Sequence, residues 1–197
     1  FALKHNLSGM ERLMGLPGTI GGAVFGNAGA FGTEIKDVFA KALIYNPSKG
    51  LMEVDKNYMD FKYRHSKIKE THEIILKVYL KLKKQNCAEA FAQAMDILKN
   101  RIGKQPKGYC SGSFFKNPSQ SRTAGALIEE AGCKGLQAGQ IKVSDQHANW
   151  LLNLGGGTQK DVIKLAKLLQ EKIKNSSKTR LQREVRIIDE NGLNIAD

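Results

Sequence analysis

The order of hydrophobic patterns along the chain predicts an α+β fold with two subdomains that divide near residue 102. Strand patterns dominate residues 38–82 and lead into one helix, whereas residues 103–188 alternate between helix and strand patterns. The composition supports a globular protein, because 41% of the 197 residues are hydrophobic and 25% are charged. No apolar run is long enough to span a bilayer, so we expect no membrane partner.

Three strands are predicted in the first subdomain. Residues 38–45 (VFAKALIY) suit a buried strand, and the Pro- and Gly-containing segment 46–50 predicts a turn. The chain should return over 51–54 as the hairpin partner of that strand. Residues 74–82 alternate between apolar and polar side chains, which is typical of a strand with one buried face.

Three helices are predicted, over about 86–102, 123–131 and 158–174. The apolar stripe of the first consists of Phe91, Ala94, Met95, Leu98 and Ile102. The third can be capped by Thr158, and its inward-facing residues are Val162, Leu165, Ala166, Leu169 and Ile173. The other segments of the second half are predicted as a loop over 104–122 and strands over 147–154 and 181–188.

Charge and cysteine content narrow the classes of function. The formal net charge of +12 points to an anionic partner, either a nucleic acid or a phosphorylated small molecule. The three cysteines are far apart and form no CxxC pair, which disfavours both a disulfide framework and a zinc site. We therefore expect no metal and a reducing, cytoplasmic location. Because the chain begins with Phe1, we also expect it to be a fragment.

Glycine is concentrated at the start of the chain, where eight of the 20 glycines fall within the first 32 residues. Such a density is not expected inside a helix, because each glycine costs roughly 1 kcal/mol there relative to alanine. Residues 15–23 (GLPGTIGGA) could expose backbone amides in a concave nest that binds a pyrophosphate, and residues 26–32 extend that surface. A purely structural glycine-rich turn explains the same composition equally well.

Four further positions carry candidate chemistry. Arg64, in Tyr-Arg-His-Ser, could clamp a carboxylate or phosphate through two parallel hydrogen bonds, although neighbouring lysines also fit a solvated basic face. Ser113 lies between a glycine and two phenylalanines, where a partly dry pocket or an ordinary loop is possible. Glu184 is flanked by Arg183 and Arg186, and composition alone favours a surface carboxylate over a functional one. His147 opens a predicted strand without a second histidine nearby, which disfavours a metal site.

The order of these motifs is more informative than any one of them. GLPGTIGGAVFGNAGAFG, YRHS, RIGKQP, CSGSFFKNP, AGALIEEAGCKGLQAGQIKVSDQHANWLLN and LQREVRII follow one another in a way that resembles the UDP-N-acetylenolpyruvoylglucosamine reductases. The likeness runs from about Gly9 to Ile188. It implies an NADPH-dependent FAD enzyme of bacterial peptidoglycan precursor synthesis. Such an enzyme reduces UDP-N-acetylglucosamine enolpyruvate to UDP-N-acetylmuramate, with hydride from reduced flavin and a proton from a serine.

The resemblance also implies a domain plan and roles for residues. Residues 1–102 would form an FAD-binding subdomain of the vanillyl-alcohol-oxidase type without its N-terminal segment. Residues 103–178 would form a smaller α/β substrate-binding domain, and residues 179–197 a strand that returns to the FAD-binding part. The implied catalytic residues are Arg64, Ser113 and Glu184, and the implied substrate-binding residues are Tyr63, Lys104, Asn117 and His147. The implied FAD-binding residues are Pro17, Gly18, Thr19, Ile20, Gly21, Gly22, Ala23, Asn27, Ala28 and Gly29.

Two alternatives remain at the level of the sequence. One is another FAD oxidoreductase of the same fold with a different substrate, which the combination of Ser113, Asn117 and Glu184 disfavours. The other is a basic nucleic-acid-binding module, which explains the net charge but lacks a basic sheet interleaved with aromatic residues. We therefore expect a UDP-linked amino sugar as the partner, no nucleic acid, and a monomer.

Overall fold

The computed structural model describes residues 1–195, apart from the side chain of Cys87, and it divides the chain into two compact units. The first unit comprises residues 1–103, and the second begins at Lys104. Both units contain helices and sheets, so the mixed α and β content that the sequence predicts is confirmed. The roles assigned above to the two parts stay predictions.

The first unit is built around a three-stranded antiparallel sheet in the order β5-β4-β6. Its elements are β1 (Leu7–Ser8), α1 (Ile20–Gly26), β2 (Gly29–Ala30), β3 (Thr33–Glu34), β4 (Phe39–Asn46), β5 (Gly50–Asp55), α2 (Lys56–Met59), α3 (Ile68–Thr71), β6 (Ile74–Leu80), β7 (Lys83–Lys84) and α4 (Cys87–Lys104). The hairpin of β4 and β5 places Leu43 opposite Glu53, and β6 pairs with the other edge of β4. The three strands predicted in this region are confirmed.

One face of this sheet packs on the core of the first unit, whose fully buried side chains include Val24, Ile35, Ala42, Ile44, Met59 and Ile68. The prediction that residues 74–82 have one buried face is only partly right. Ile74 and Leu76 are 55% and 53% exposed. A register shift in the pairing of β6 with β4 interrupts the alternation, so that Ile75, Val78 and Leu80 pack on the core instead. Helix α4 likewise buries Ala94, whereas Phe91 and Ile102 from the predicted stripe are 53% and 60% exposed.

Helix α1 corrects the expectation that the glycine-rich segment excludes a helix. Gly21, Gly22 and Gly26 all lie within it. The helix is only seven residues long, Thr19 caps it by accepting a hydrogen bond from the Gly22 amide at 3.0 Å, and Val24 is completely buried. Capping and burial therefore outweigh the low helix propensity of glycine.

Glu73 is a buried carboxylate at the start of β6, 5% exposed, and three side chains donate hydrogen bonds to it. The donors are Asn46 at 2.7 Å, Tyr58 at 2.6 Å and Thr71 at 2.6 Å. Burial alone would raise the pKa of Glu73, but the three donors together outweigh it and hold the pKa below its ordinary value. The carboxylate therefore stabilises the first unit in its ionised form.

We expect the free energy of unfolding of the first unit to fall as the pH drops below about 4.5. Below that pH the unfolded carboxyl takes up a proton that the folded Glu73 still resists. Urea unfolding between about pH 6 and about pH 3 measures the loss. Glu73→Gln should lower stability at neutral pH by about 1–3 kcal/mol and flatten the pH dependence. An unchanged pH dependence in that variant would contradict the assignment.

The second unit contains a four-stranded antiparallel sheet in the order β8-β11-β10-β9. Its elements are β8 (Tyr109–Ser113), α5 (Ala124–Glu130), β9 (Gln137–Ala138), β10 (Ile141–Val143), β11 (Trp150–Asn153) and α6 (Gln159–Ser177). Helices α5 and α6 and strand β11 are confirmed, the strand being shorter than predicted. The loop predicted over 104–122 is wrong in part because it contains β8, and β9 and β10 were not predicted.

Helix α6 and the chain that follows it complete the core of the second unit. Thr158 and Asp161 form a reciprocal capping box at its start, and Leu165, Ala166, Leu169 and Ile173 are buried as predicted. The predicted strand over 181–188 is wrong, since this segment makes only isolated bridges at Arg183 and Ile188. Its buried residues, Leu181 and Ile187, anchor it to the core without a continuous ladder.

The sequence also predicts that residues 179–197 form a strand that returns to the FAD-binding part. Residues 179–195 include the anchors of the second core, and residues 196–197 lie outside the described part of the chain. The return of this segment to the FAD-binding part stays a prediction.

Candidate active site

The glycine-rich segment forms an exposed loop that leads into α1. Residues 15–20 are all exposed, and Gly15 and Gly18 adopt φ angles of +77° and +128°, which favour glycine. Two large apolar side chains, Leu16 and Ile20, are 37% and 45% exposed on this loop. The predicted cofactor-binding residues Pro17–Ala23 therefore divide between the loop and the first turn of α1. The surface offers both backbone amides and apolar contacts.

Asn27 and the two residues after it connect this loop to the β2–β3 hairpin. The Asn27 side chain is fully buried, donates to Glu34 at 3.1 Å and to the Lys62 carbonyl at 2.9 Å, and accepts from the Lys36 amide. The carbonyl of Ala28 accepts from the Ile35 amide at 2.8 Å. The Asn27 side chain thus holds the fold together, and its backbone amide donates to the Val24 carbonyl at 3.2 Å at the end of α1.

Arg64 lies in a tight turn over residues 62–65. Lys62 and His65 exchange two backbone hydrogen bonds of 3.1 Å, and Arg64 has a φ of +54°. A positive φ at the third residue of a turn favours glycine, so an arginine there is under backbone strain. The guanidinium lies 5.0 Å from the centre of the Tyr63 ring, which is itself 45% exposed.

A small network holds the Arg64 side chain, which is 22% exposed. Its Nη2 donates to the Gly29 carbonyl at 2.8 Å, and its Nη1 lies 4.0 Å from Oε1 of Glu34. A Cβ at Gly29 would come within 2.8 Å of Glu34 and 3.1 Å of Arg64, so the close approach requires glycine. The structure therefore brings Gly29, Asn27 and Arg64 together through Glu34.

Ser113 and Glu184 lie on two chain segments that run side by side in the second unit. The Phe114 carbonyl accepts from the Glu184 amide at 2.9 Å, and the Lys116 amide donates to the Gln182 carbonyl at 2.8 Å. We call residues 113–116 with 182–185 the Ser113 ribbon. Ser113 is exposed at the end of β8, opposite Trp150, rather than in the partly dry pocket considered above.

Phe114 and Phe115 anchor the Ser113 ribbon in the core, each with 1% exposure and with their rings edge to face. Asn149, 3% exposed, fixes the backbone between them. Its Oδ1 accepts from the Phe115 amide at 2.9 Å, its Nδ2 donates to the Phe115 carbonyl at 2.8 Å, and its own carbonyl accepts from the Phe114 amide at 2.8 Å. Ser113 is therefore presented to solvent by a rigid support.

The predicted substrate-binding residues of the second unit have different surroundings. Asn117 is exposed, and its Oδ1 accepts from the Ala124 amide at 3.0 Å, so it helps to begin α5. Lys104 is the exposed last residue of α4. The His147 ring is half-buried against α5 and Trp150, and its Nδ1 accepts from the Asn149 amide at 3.2 Å. His147 thereby contacts the support of the Ser113 ribbon.

Burial of the imidazole lowers the pKa of His147 below its ordinary value of 6.5. We expect an NMR titration to give a midpoint below that value, with the His147 resonance identified by its loss in His147→Gln. Because the unfolded chain protonates first, the free energy of unfolding should decrease as the pH falls through about 6.5. A midpoint at or above the ordinary value would contradict the effect of burial.

The structure thus groups the predicted catalytic residues in two places, one in each unit. Arg64 belongs to the network of the first unit, and Ser113 and Glu184 share the ribbon of the second. Residues 1–195 contain no cluster of three His, Cys, Asp or Glu side chains suited to a metal ion. No helix in the described part of the chain combines the length and apolar composition needed to cross a bilayer.

Sequence reasoning missed three residues on which these sites depend: Glu34, Arg101 and Asn149. Glu34 is the acidic partner of Arg64, and Asn149 is the clamp on Phe115. Arg101 is buried behind the glycine-rich loop, where Nε donates to the Met14 carbonyl at 3.1 Å. Arg101 and Asn149 lie within the RIGKQP and AGALIEEAGCKGLQAGQIKVSDQHANWLLN motifs, but the sequence alone gives neither of them a role. Each of the three residues acts through a partner at least 30 residues away along the chain.

Comparison with known proteins gives one consistent result. Residues 105–188 match the family model described as "UDP-N-acetylenolpyruvoylglucosamine reductase, C-terminal domain". Curated proteins named UDP-N-acetylenolpyruvoylglucosamine reductase are similar over almost the whole chain. The one from Enterococcus faecalis is 43% identical over 96% of this chain, and the one from Caldanaerobacter subterraneus is 37% identical over 96%.

A solved structure agrees with the sequence comparisons. The crystal structure of the UDP-N-acetylenolpyruvylglucosamine reductase from Thermus caldophilus superposes with a TM-score of 0.83 at 34% identity, covering 93% of this chain. The chain spans 63% of the length of the Enterococcus and Caldanaerobacter proteins and 65% of the Thermus chain. The similarity therefore includes both units of the present chain but not the full length of these relatives.

Proposed function

The chain belongs to the UDP-N-acetylenolpyruvoylglucosamine reductase family, and on this basis we propose that it reduces UDP-N-acetylglucosamine enolpyruvate to UDP-N-acetylmuramate. The reaction would serve peptidoglycan precursor synthesis in the cytoplasm, with the protein acting as a monomer. The observation that carries the proposal is the Ser113 ribbon, on which two motif residues of the family, Ser113 and Glu184, share one rigid support.

The residues of the first unit fit an FAD ligand. The exposed loop of Gly15–Ile20 combines backbone amides with the apolar side chains of Leu16 and Ile20. Amides suit the oxygens of a pyrophosphate, and exposed apolar side chains suit a flat ring system. When bound, FAD would carry a hydride from NADPH to the enolpyruvyl double bond.

Three residues of the chain would act on the substrate. Arg64 would bind the substrate carboxylate with its planar guanidinium, which the contact with Gly29 already orients. Glu184 would help to hold and polarise the same group, so that the charge that develops is stabilised where it forms. Ser113 would give its hydroxyl proton to the carbon next to the one that receives the hydride, which completes the lactyl ether.

The remaining residues would bind the nucleotide part of the substrate. Lys104 is exposed and positively charged, so it can contact the UDP diphosphate. Asn117 and Tyr63 are exposed and offer polar atoms, and His147 lies beside the support of the Ser113 ribbon. The net charge of +12 suits a protein that binds a dinucleotide, a UDP sugar and NADPH.

The test is to purify the protein with added FAD and record its absorbance spectrum, then follow NADPH oxidation with and without the enolpyruvyl substrate. We expect a bound flavin and NADPH consumption that depends on that substrate. If a different substrate supported NADPH consumption equally well, the alternative of an FAD oxidoreductase of the same fold with another substrate would be favoured. A colourless protein that binds DNA with a steep salt dependence would overturn the proposal.

A further inference from the structure

Arg101, on the inner side of α4, is a buried cation with no acidic partner within residues 1–195. Its side chain is 7% exposed, and Nη2 is buried with no hydrogen-bond partner among the described residues. Burial also lowers the pKa of the guanidinium, and no carboxylate opposes this effect. A buried charge that is not paired is strongly destabilising, so a guanidinium in this position is a candidate for binding an anion.

The neighbours of Arg101 supply only neutral contacts. Nε donates to the Met14 carbonyl, and the guanidinium lies 5.4 Å from the centre of the Phe31 ring. A Cβ at Gly15 would come within 3.3 Å of Arg101 Cδ and 2.9 Å of Leu98. The glycine-rich loop therefore begins directly against this arginine, and the glycine permits the approach.

A second arginine, Arg12, contacts Phe31 as well. Arg12 Nη1 donates to the Phe31 carbonyl at 2.8 Å. The acidic residue next to it, Glu11, directs its carboxylate to the Gly9 amide at 2.9 Å. Two guanidinium groups thus contact Phe31, and Arg101 receives no negative charge from either neighbour.

Phe31 is the exposed neighbour of the Arg101 guanidinium. Its ring is 48% exposed, and both Phe31 and Gly32 have positive φ angles, of +51° and +78°. A positive φ is costly for a bulky residue, and such strain is concentrated at functional sites. Because Nη2 is buried, an anion reaches it only if a neighbour moves, and Phe31 is the half-exposed side chain that stacks on the guanidinium.

We propose that Arg101 is an anion-binding residue for a phosphate-type oxyanion at the start of the glycine-rich loop, and that the Phe31 ring covers it until the anion binds. The choice of a phosphate rests on the proposed function, in which this loop binds a pyrophosphate. The buried position of the charge is independent of that function. A guanidinium that has lost its water is a strong binding group for phosphate oxygens.

The test is isothermal titration calorimetry of the full 197-residue chain with inorganic pyrophosphate. Arg101→Met should weaken binding at least about tenfold, and Arg101→Lys should weaken it less, because a lysine keeps the charge but loses the planar fork. Lys99→Met is the matched control, since Lys99 is an exposed cation on the same helix, and its affinity should stay within about twofold of the parent. Phe31→Ala should bind at least as tightly as the parent.

Circular dichroism establishes that each variant is folded, and loss of an unpaired buried cation is not expected to unfold α4. Equal pyrophosphate affinity in the parent and Arg101→Met would overturn the proposal, as would a parent that binds no pyrophosphate at millimolar concentration. If the protein binds FAD and Arg101→Met binds it equally well, this inference fails while the proposed function stands. Pyrophosphate binding that depends on Arg101 in a protein that never binds FAD supports the inference without the proposed function.

Discussion

In the proposed reaction, Ser113→Ala is expected to slow the reoxidation of the reduced flavin by the enolpyruvyl substrate by about 10²–10⁴-fold, the range for loss of a positioned general acid. Reduction of the flavin by NADPH should be unchanged, because that half-reaction needs no proton from Ser113. Stopped-flow absorbance measures the two half-reactions separately. The hydroxyl is weakly acidic in water, so its effect depends on the fixed position that β8 and the buried Phe114 provide.

Ser111→Ala is the matched control, since Ser111 lies on the same strand and is also exposed. It should leave both half-reactions close to those of the parent protein. If Ser113→Ala slowed both half-reactions equally, the mutation would be acting on flavin binding or on the fold. The assignment of Ser113 as proton donor would then be wrong.

Asn149→Ala is expected to lower the free energy of unfolding of the second unit by about 3–4 kcal/mol, because it leaves the buried amide and carbonyl of Phe115 without partners. Each unpaired buried group costs about 1–3 kcal/mol. The same change should release the Ser113 ribbon from its support. Activity should therefore fall with stability, although Asn149 is not proposed to touch the substrate.

Urea unfolding monitored by Trp150 fluorescence measures this loss, because the single tryptophan lies in the second unit. Gln137→Ala is a suitable control, since Gln137 is exposed and donates one hydrogen bond to the Gly139 carbonyl. Its stability should change by less than about 0.5 kcal/mol. A loss of similar size in both variants would show that the clamp on Phe115 contributes little.

Regular elements with strong periodicity were predictable from the sequence. Helix α6 shows why, because its capping residue and its apolar positions are both local signals, and the structure buries Leu165, Leu169 and Ile173 as expected. The β4–β5 hairpin is similar, since a Pro- and Gly-containing turn separates two apolar runs. In each case the information lies within one stretch of sequence.

The errors arose where long-range contacts decide the structure. The prolines and glycines at 106, 108, 112 and 118 predict a loop where the structure has β8, and only pairing with β11 makes Tyr109–Ser113 a strand. The segment 181–188 has a strand pattern, but its partner at 114–116 forms only a bridge and adjacent hydrogen bonds. Propensity gives a weak prior that such tertiary contacts override.

In the candidate site, too, the sequence indicates the motif residues, whereas long-range contacts determine which residues support them. The motifs contain Arg64, Ser113 and Glu184, whose roles stay predictions. Asn149 also lies in a motif, but the sequence does not indicate that Asn149 and Glu34 support the candidate site. Glu34 contacts Arg64, and Asn149 forms hydrogen bonds with Phe115, which are distant from them along the chain. The Asn27 side chain donates a hydrogen bond to the Lys62 carbonyl and therefore stabilises the fold. Only the folded chain reveals these supporting contacts.

The left-handed backbone of Arg64 has a consequence for anyone who engineers this protein. At a φ of +54°, glycine avoids a strain of about 1 kcal/mol or more that arginine bears. A library screened only for heat resistance would therefore tend to enrich glycine at position 64, where the contacts of the arginine with Gly29 and Tyr63 offset part of that strain. Because Arg64 is proposed to bind the substrate carboxylate, thermostability and turnover would be selected in opposite directions at this position, and a useful screen has to score both.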